Sequence, residues 1–429
     1  MRRNNIILLL HMQPVRERTL RKIPVFRILR TSSKKLYIAN YSDRTMNFTA
    51  KESFCTSIID CSSLINLLTL LGFLVFTGNT PAQKLAAYTD YRDRFFIFDN
   101  GNHMKAEDLQ VQSFAVGGDC ILYINSQGHL KLYQDGVIVK LEVGGVSRYY
   151  ATDYLAAYTI FDKLKVVENG QTVTLSMRCP LFQIEDSLIV FYDTNLESLR
   201  IYYGGEIEDI ESGLVGMPIS NLKSGDNIVA YISSRTSDFK IYYRGENHTI
   251  LNYVGGLSFK AGKDLVAYIN PLENSFNVYY KGQDYRVEDF PPESYRTGDN
   301  FVAYIDNQGA FKVFSKGLVQ EVSSFPPDAY ITEDNLLLFT ESNYFKIFFN
   351  NQVFEVEGYI PRDFKMDWNT VAYVDNTNRI WLFSNGEKRY LINDLINTYE
   401  VYRDLIMMNV KVDRNIIYYN DQFFEGVSY

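Results

Sequence analysis

The sequence predicts an all-β chain assembled from about ten copies of one unit of about 36 residues. Three observations carry that expectation. Aromatic residues make up 15% of the chain, drawn from 33 Tyr and 29 Phe, types that favour strands, while helix punctuation is scarce. A short apolar run ending in a large side chain returns at a near-constant interval. Each run is followed by a dipeptide suited to a tight turn.

The runs are LAAY (85–88), ILY (121–123), LAAY (155–158), LIVF (188–191), IVAY (228–231), LVAY (265–268), FVAY (301–304), LLLF (336–339), TVAY (370–373) and LIMM (405–408). Their last residues are spaced by 35, 35, 33, 40, 37, 36, 35, 34 and 35. Nine residues before this anchor stands a large apolar residue: Phe114, Tyr149, Phe182, Leu222, Phe259, Tyr295, Tyr330, Phe364 or Tyr399. After it come a polar turn and an alternating strand, as in LKLY (130–133) and FKVF (311–314). That strand runs into Asn100-Gly101, Asp135-Gly136, Lys281-Gly282, Lys316-Gly317, Asn350-Asn351 or an equivalent pair, and these types tolerate the positive φ of a two-residue hairpin. A last strand follows, for instance VIVKLEV (137–143).

Four short antiparallel strands in such a unit resemble a blade of the β-propeller superfamily, and the resemblance covers residues 84–429. The layout is similar to that of WD40 blades: innermost strand A holds the −9 residue, B ends at the anchor, C precedes the glycine turn and D lies outermost. No Gly-His pair, Trp-Asp ending or kelch double glycine recurs, so the resemblance stops at the superfamily. One ring of ten blades is the expected arrangement, with an open solenoid-like arc as the alternative. The first copy begins at strand B, the last ends with strand D at Tyr429, and no strand is exchanged between the termini.

The N-terminal 82 residues read differently. Residues 1–45 carry eleven Lys and Arg against two acids, whereas 83–429 carry 31 against 47, a net of −16. A domain that acidic suits neither nucleic acid nor an anionic membrane surface. Residues 64–76, LINLLTLLGFLVF, are thirteen nearly all apolar residues, shorter than the ~20 that span a bilayer and matched to a signal-peptide core. Thr80 and Ala82 supply small residues for cleavage after Ala82, and the ending resembles those of exported Gram-negative proteins. Met46 is then the expected start, and the mature chain of 83–429 holds no membrane span. Cys120 and Cys179, at unlike positions in different copies, are expected as buried thiols.

Several rows of residues invite a function. Lys131, Lys165, Arg200, Lys240, Lys312 and Lys346 lie on strand C. The hairpin register sets Arg200 opposite Asp209, Lys312 opposite Glu321 and Lys346 opposite Glu355, which makes them cross-strand ion pairs. Each A–B turn from Asp119 to Asp404 holds an acid, read as bonding its own turn, without the spacing that wraps a metal. Directly after the −9 residue come Lys223, Lys260, Arg296 and, past Ile331, Lys365. If strand A lines the channel, these four make a basic arc in an acidic protein, the candidate ligand site. The D–A connections FPPES (290–294), FPPDA (325–329) and YIPRD (359–363) group on neighbouring blades.

No HExxH, GxSxG or CxxC motif is present, so neither catalytic residues, metal nor cofactor is expected. The reading is an exported, periplasmic or extracellular, monomeric and non-catalytic binding or scaffold protein that recognises a protein or glycan partner. The alternative is an extracytoplasmic carbohydrate-active enzyme with carboxylates at the channel mouth, sought near Glu206, Glu208, Asp209 and Glu211, where the spacing widens to 40.

Overall fold

The computed structural model describes residues 26–30, 36–40 and 84–426, apart from 169, 217, 218, 220, 255, 412 and 413. In the unit Met1–Thr80 it describes an antiparallel hairpin of Phe26–Arg30 with Leu36–Asn40. The apolar run 64–76 and the proposed cleavage after Ala82 lie outside the described residues.

The unit Pro81–Tyr429 is all-β: nine four-stranded antiparallel sheets and one three-stranded sheet form ten blades in one ring. Blade 7 shows why the repeat folds this way. Its strands are A, Ser294–Gly298; B, Phe301–Ile305; C, Phe311–Ser315; and D, Leu318–Ser323. The nine-residue spacing is the A–B register, which sets Tyr295 opposite Tyr304. Strand B is buried at all five positions because blades cover both its faces, hence an unbroken apolar run. Strand C alternates, D is largely exposed, and Lys316 (φ 53°) and Gly317 (φ 80°) make the turn between them.

Blades pack face to face. Leu265, Ala267, Phe276 and Val278 of blade 6 share one buried cluster with Tyr295, Val302, Tyr304 and Phe314 of blade 7. Among the described residues blade 1 has Leu85–Thr89, Phe95–Asp99 and Asn102–Glu107 and no strand A. The ring nevertheless closes. Ala86, Tyr88, Phe96 and Phe98 of blade 1 pack on Leu405, Ile417 and Tyr419 of blade 10, whose outer strand is Gln422–Glu425. The Tyr419 hydroxyl donates to Asn100 Oδ1 at 3.0 Å, and among the described residues no strand crosses the seam. Residues 427–429, where the sequence reading ended strand D, lie outside the described residues.

The strand C cations need a correction. Lys312 does stand opposite Glu321 and Lys346 opposite Glu355. Their ammonium groups go elsewhere. Lys312 pairs at 2.8 Å with Glu288, at the end of the preceding blade's outer strand, and also at 2.8 Å with Asp306. The same Glu288 accepts from the anchor Tyr304 hydroxyl at 2.8 Å. Glu107 receives Tyr123 and Lys131 in the same way, and Glu142 receives Tyr158 and Lys165. Anchor and lysine are register partners on one face, and that face meets the neighbouring blade. Only Arg200 pairs with its register partner Asp209, at 2.7 Å. Cys120 and Cys179 are free and buried, as expected.

Candidate functional site

Strand A approaches strand A of the next blade between blades 2 and 3, along blades 4 to 8 and between blades 9 and 10, so these strands line the axis of the ring. The two ends of that channel differ. At the A–B turn end the backbones of blades 5 to 8 nearly touch. A Cβ on Gly225 would lie 2.1 Å from Gly262 O, one on Gly262 would lie 2.3 Å from Gly298 O, and one on Gly298 would lie 2.7 Å from Asp334 O. Glycine is required there by close approach.

Four of the A–B acids reach beyond their own turns. Asp186 accepts from Asp153 N, Asp226 from Ser187 N, Asp334 from Trp368 N and Asp367 from Arg403 N, each across to the adjacent blade. Acids and amides at the B–C turns perform the local role instead: Asp306 accepts from Gln308 N and Ala310 N, and Asn125 from Gln127 N and His129 N. The physical reason is crowding at the axis, which brings a neighbour's amide within reach of each A–B side chain.

Two cations tie this acidic ring together. Lys263 lies 3.1 Å from Asp226 and 3.7 Å from Asp299, and its ammonium sits 5.4 Å from the Trp368 ring centre. Arg403 covers the same ring at 4.7 Å and pairs with Asp153, bridging blade 10 to blade 3. Burial raises Asp186 to about 6, helped by Asp226 and opposed by Lys263. Burial also raises Asp299 and Asp367 to about 7. Lys263 is pulled down by burial, yet Asp299 and Asp226 hold it above its ordinary value. Trp368, Lys263 and Arg403 therefore form a plug spanning the axis. Nothing in the repeat pattern pointed to Lys263, Trp368 or Arg403 as partners, because they meet across the ring.

The basic arc sits further along the wall. Lys223, Lys260, Arg296 and Lys365 occupy one register position, opposite Ala230, Ala267, Ala303 and Ala372. The first three come together. Lys260 is shifted down by burial and by the charges of Arg296 and Lys223, and no carboxylate pairs with any of the three among the described residues. Lys260 donates to Tyr295 O at 2.6 Å and stands 4.9 Å from that ring centre; Arg296 stands 5.5 Å from the Tyr330 ring centre. Lys365 is separate. It is neutralised by Glu400 at 2.6 Å.

Lys260 and Arg296 line a cavity of about 620 Å³ with Tyr295, Tyr330, Pro292 and Pro327. The proline-stiffened D–A loops thus meet the basic arc, which the sequence had suggested as two separate features. Glu293 and Asp328 also line it. Ser258 and Ser294 hydroxyls fix the two tyrosine hydroxyls at 2.6 and 2.7 Å, so the aromatic walls are held in place. The acids near 206–211 lie elsewhere. They fall in the outer strand Glu206–Ser212, where Asp209 pairs with Arg200, Glu208 accepts from Tyr242 and buried Glu211 holds Ser233 and Lys240. The widened spacing instead accommodates a loop that buries Leu214 and Ile219.

A family model described as a 10-bladed beta propeller domain matches residues 79–424, and the chain belongs to that family. No curated protein matches it. Among solved structures, the chain is similar to the computationally designed Ika8 protein (12% identity, 79% of this chain and 99% of that one, TM-score 0.31). It is also similar to the CRINKLY WD40 ectodomain of the Arabidopsis thaliana receptor kinase ACR4 (9% identity, 57% and 98%, TM-score 0.29). A third is PorZ, a bacterial surface component of the type-IX secretion system of Porphyromonas gingivalis (11% identity, 81% and 59%, TM-score 0.27).

Proposed function

We propose that this chain is an exported, non-catalytic propeller whose D–A face recognises an anionic segment of a protein or glycan partner. The fold is consistent with a binding or scaffold role. The observation that carries the reading is the meeting of Lys260 and Arg296 with two rigid loops around one cavity of about 620 Å³. Cations in a concave, aromatic-walled site attract and orient an anion. The same face repeats an exposed apolar side chain in successive D–A connections, with Tyr253 83%, Phe290 57%, Phe325 73%, Ile360 48% and Leu395 64% exposed. Rows of exposed apolar groups on one face suit a protein partner.

The test is binding of the purified chain to immobilised envelope proteins and glycans, with turnover followed in the same wells. Lys223→Gln/Lys260→Gln/Arg296→Gln is expected to weaken binding at least about tenfold, and Lys365→Gln less than about twofold because Glu400 already neutralises it. Release of a product, or full binding by the triple variant, refutes the proposal. Sequencing of the secreted protein's N-terminus is expected to begin at Gln83.

A further inference from the structure

The opposite face of the ring carries a second cavity, of about 540 Å³, among the C–D and A–B turns of blades 6, 7 and 8. Its lining includes Tyr280, Lys281, Asn300, Lys316, Asn335 and Asn350. Two of these side chains are not explained by the fold. Lys281 and Lys316 occupy the first C–D turn position at φ 49° and 53°. That left-handed backbone suits Asn, Asp or Gly far better than Lys. Asn100, Asp135, Asn350, Asn385 and Asn420 fill the equivalent position in other blades, at φ between 47° and 52°. Neither lysine forms an ion pair among the described residues; Lys281 only covers the Tyr280 ring, at 5.2 Å.

A further side chain is unsatisfied. Asn300 Oδ1 is buried and has no hydrogen-bond partner among the described residues. A buried acceptor of this kind is stabilised by a donor brought from outside. Asp299 also lines the groove, but its carboxyl lies 3.7 Å from the Lys263 ammonium, which offsets its charge.

We propose that this groove binds an acidic saccharide, with the anionic group between Lys281 and Lys316 and the hydroxyls on the asparagine carboxamides. Carboxamides both donate and accept, which matches sugar hydroxyls that do the same. An acidic peptide offers carboxylates that only accept and backbone N–H groups that only donate, whereas each sugar hydroxyl does both at one atom, as the carboxamides require. The buried Tyr280 ring lies beneath Lys281 and supports that ammonium at the groove. This site is on the face away from the D–A loops, and the inference stands whether or not the channel arc binds a partner.

The experiment applies the full chain to an array of oligosaccharides bearing uronic acids, sulfates or no charge, and titrates the hits calorimetrically. Hits confined to charged sugars are expected, and their division between uronic acids and sulfates identifies the anion. Lys281→Asn/Lys316→Asn is expected to weaken them at least about tenfold while the thermal midpoint holds or rises, because asparagine suits the turn. Hits lost in that variant are expected to persist in the Lys223→Gln/Lys260→Gln/Arg296→Gln variant, whereas a sugar held at the channel arc shows the reverse. Equal binding of neutral sugars, no hit, preference for an acidic peptide, or retention of every hit by the asparagine variant would overturn the proposal.

Discussion

Among the described residues, closure of the ring rests on side-chain packing and on hydrogen bonds made by side chains, and that makes one substitution decisive. Phe98 is 0% exposed, with ring centres of Tyr419 and Phe424 at 5.8 and 5.3 Å. Phe98→Ala removes a fully buried ring and leaves a cavity, a loss of about 3–5 kcal/mol. Phe239→Ala is the matched control: Phe239 is also 0% exposed and packs on Phe259 and Tyr268 of the next blade at 5.0 and 5.2 Å. The two differ in connectivity. Blades 5 and 6 are joined by the chain, whereas among the described residues no chain segment or shared strand joins blades 10 and 1. Local opening in Phe98→Ala is therefore expected to free the outermost strands Asn102–Glu107 and Gln422–Glu425 by themselves, lowering their amide protection about 100-fold or more. Hydrogen exchange read by mass spectrometry checks this. Equal protection loss at those strands in both variants would show that the seam is no weaker than an internal interface and refute the reasoning.

Three further outcomes follow from the geometry. A double-mutant cycle of Tyr304→Phe and Glu288→Gln is expected to give a coupling of about 0.5–2 kcal/mol in urea denaturation, since both meet at 2.8 Å; strict additivity would dissolve the inter-blade clamp. Gly262→Ala is expected to destabilise by about 2 kcal/mol or more, because its Cβ would lie 2.3 Å from Gly298 O. Gly245→Ala, with open space but φ 92°, should cost about 1 kcal/mol, and parity between the two would deny the close approach. Asp299 and Asp367 keep their protons to about 7 in the fold, whereas an unfolded carboxyl loses its own near 4, so the folded chain binds more protons between those values. Stability from this cluster therefore falls as pH rises from about 4 to 7 and levels above; Asp299→Asn should flatten the fall in thermal midpoint, and an unchanged slope would sink the assignment.

Much of the fold was legible because the blade is a local object. The LVAY-type runs and the −9 residue are the two sides of one A–B ladder, and the Lys-Gly and Asn-Gly pairs mark hairpins whose ends are two residues apart. Period alone could not place the partners of Lys312 or Asp226, since those lie one blade away. A signal for the clamp did exist: Glu107, Glu142, Glu211, Glu288 and Glu357 lie at the ends of the outer strands of blades 1, 2, 4, 6 and 8, and each holds a tyrosine or serine of the following blade. The plug was out of reach. Lys263, Trp368, Arg403 and Asp153 come from blades 6, 9, 10 and 3, and only ring curvature brings them together.

Departures from the repeat concentrate in blades 5 to 7. Lys223, Lys260 and Arg296 stand in three consecutive A strands, Gly225, Gly262 and Gly298 end those same strands, and Arg244, Lys281 and Lys316 open the three C–D turns. A repeat that served closure alone would distribute such residues around all ten blades. The glycines let three backbones crowd together at the turn end, and that packing fixes the height at which the three cations face the channel. The cationic turn positions then sit directly above, on the other face. Arg244 spends its charge on Asp264 at 3.2 Å, which leaves Lys281 and Lys316 as the two with no ion pair among the described residues, beside the buried Asn300 Oδ1 that lacks a donor. One sector of an otherwise repetitive ring thus holds both concave basic sites, and the remaining blades supply the rigid frame that keeps them in register.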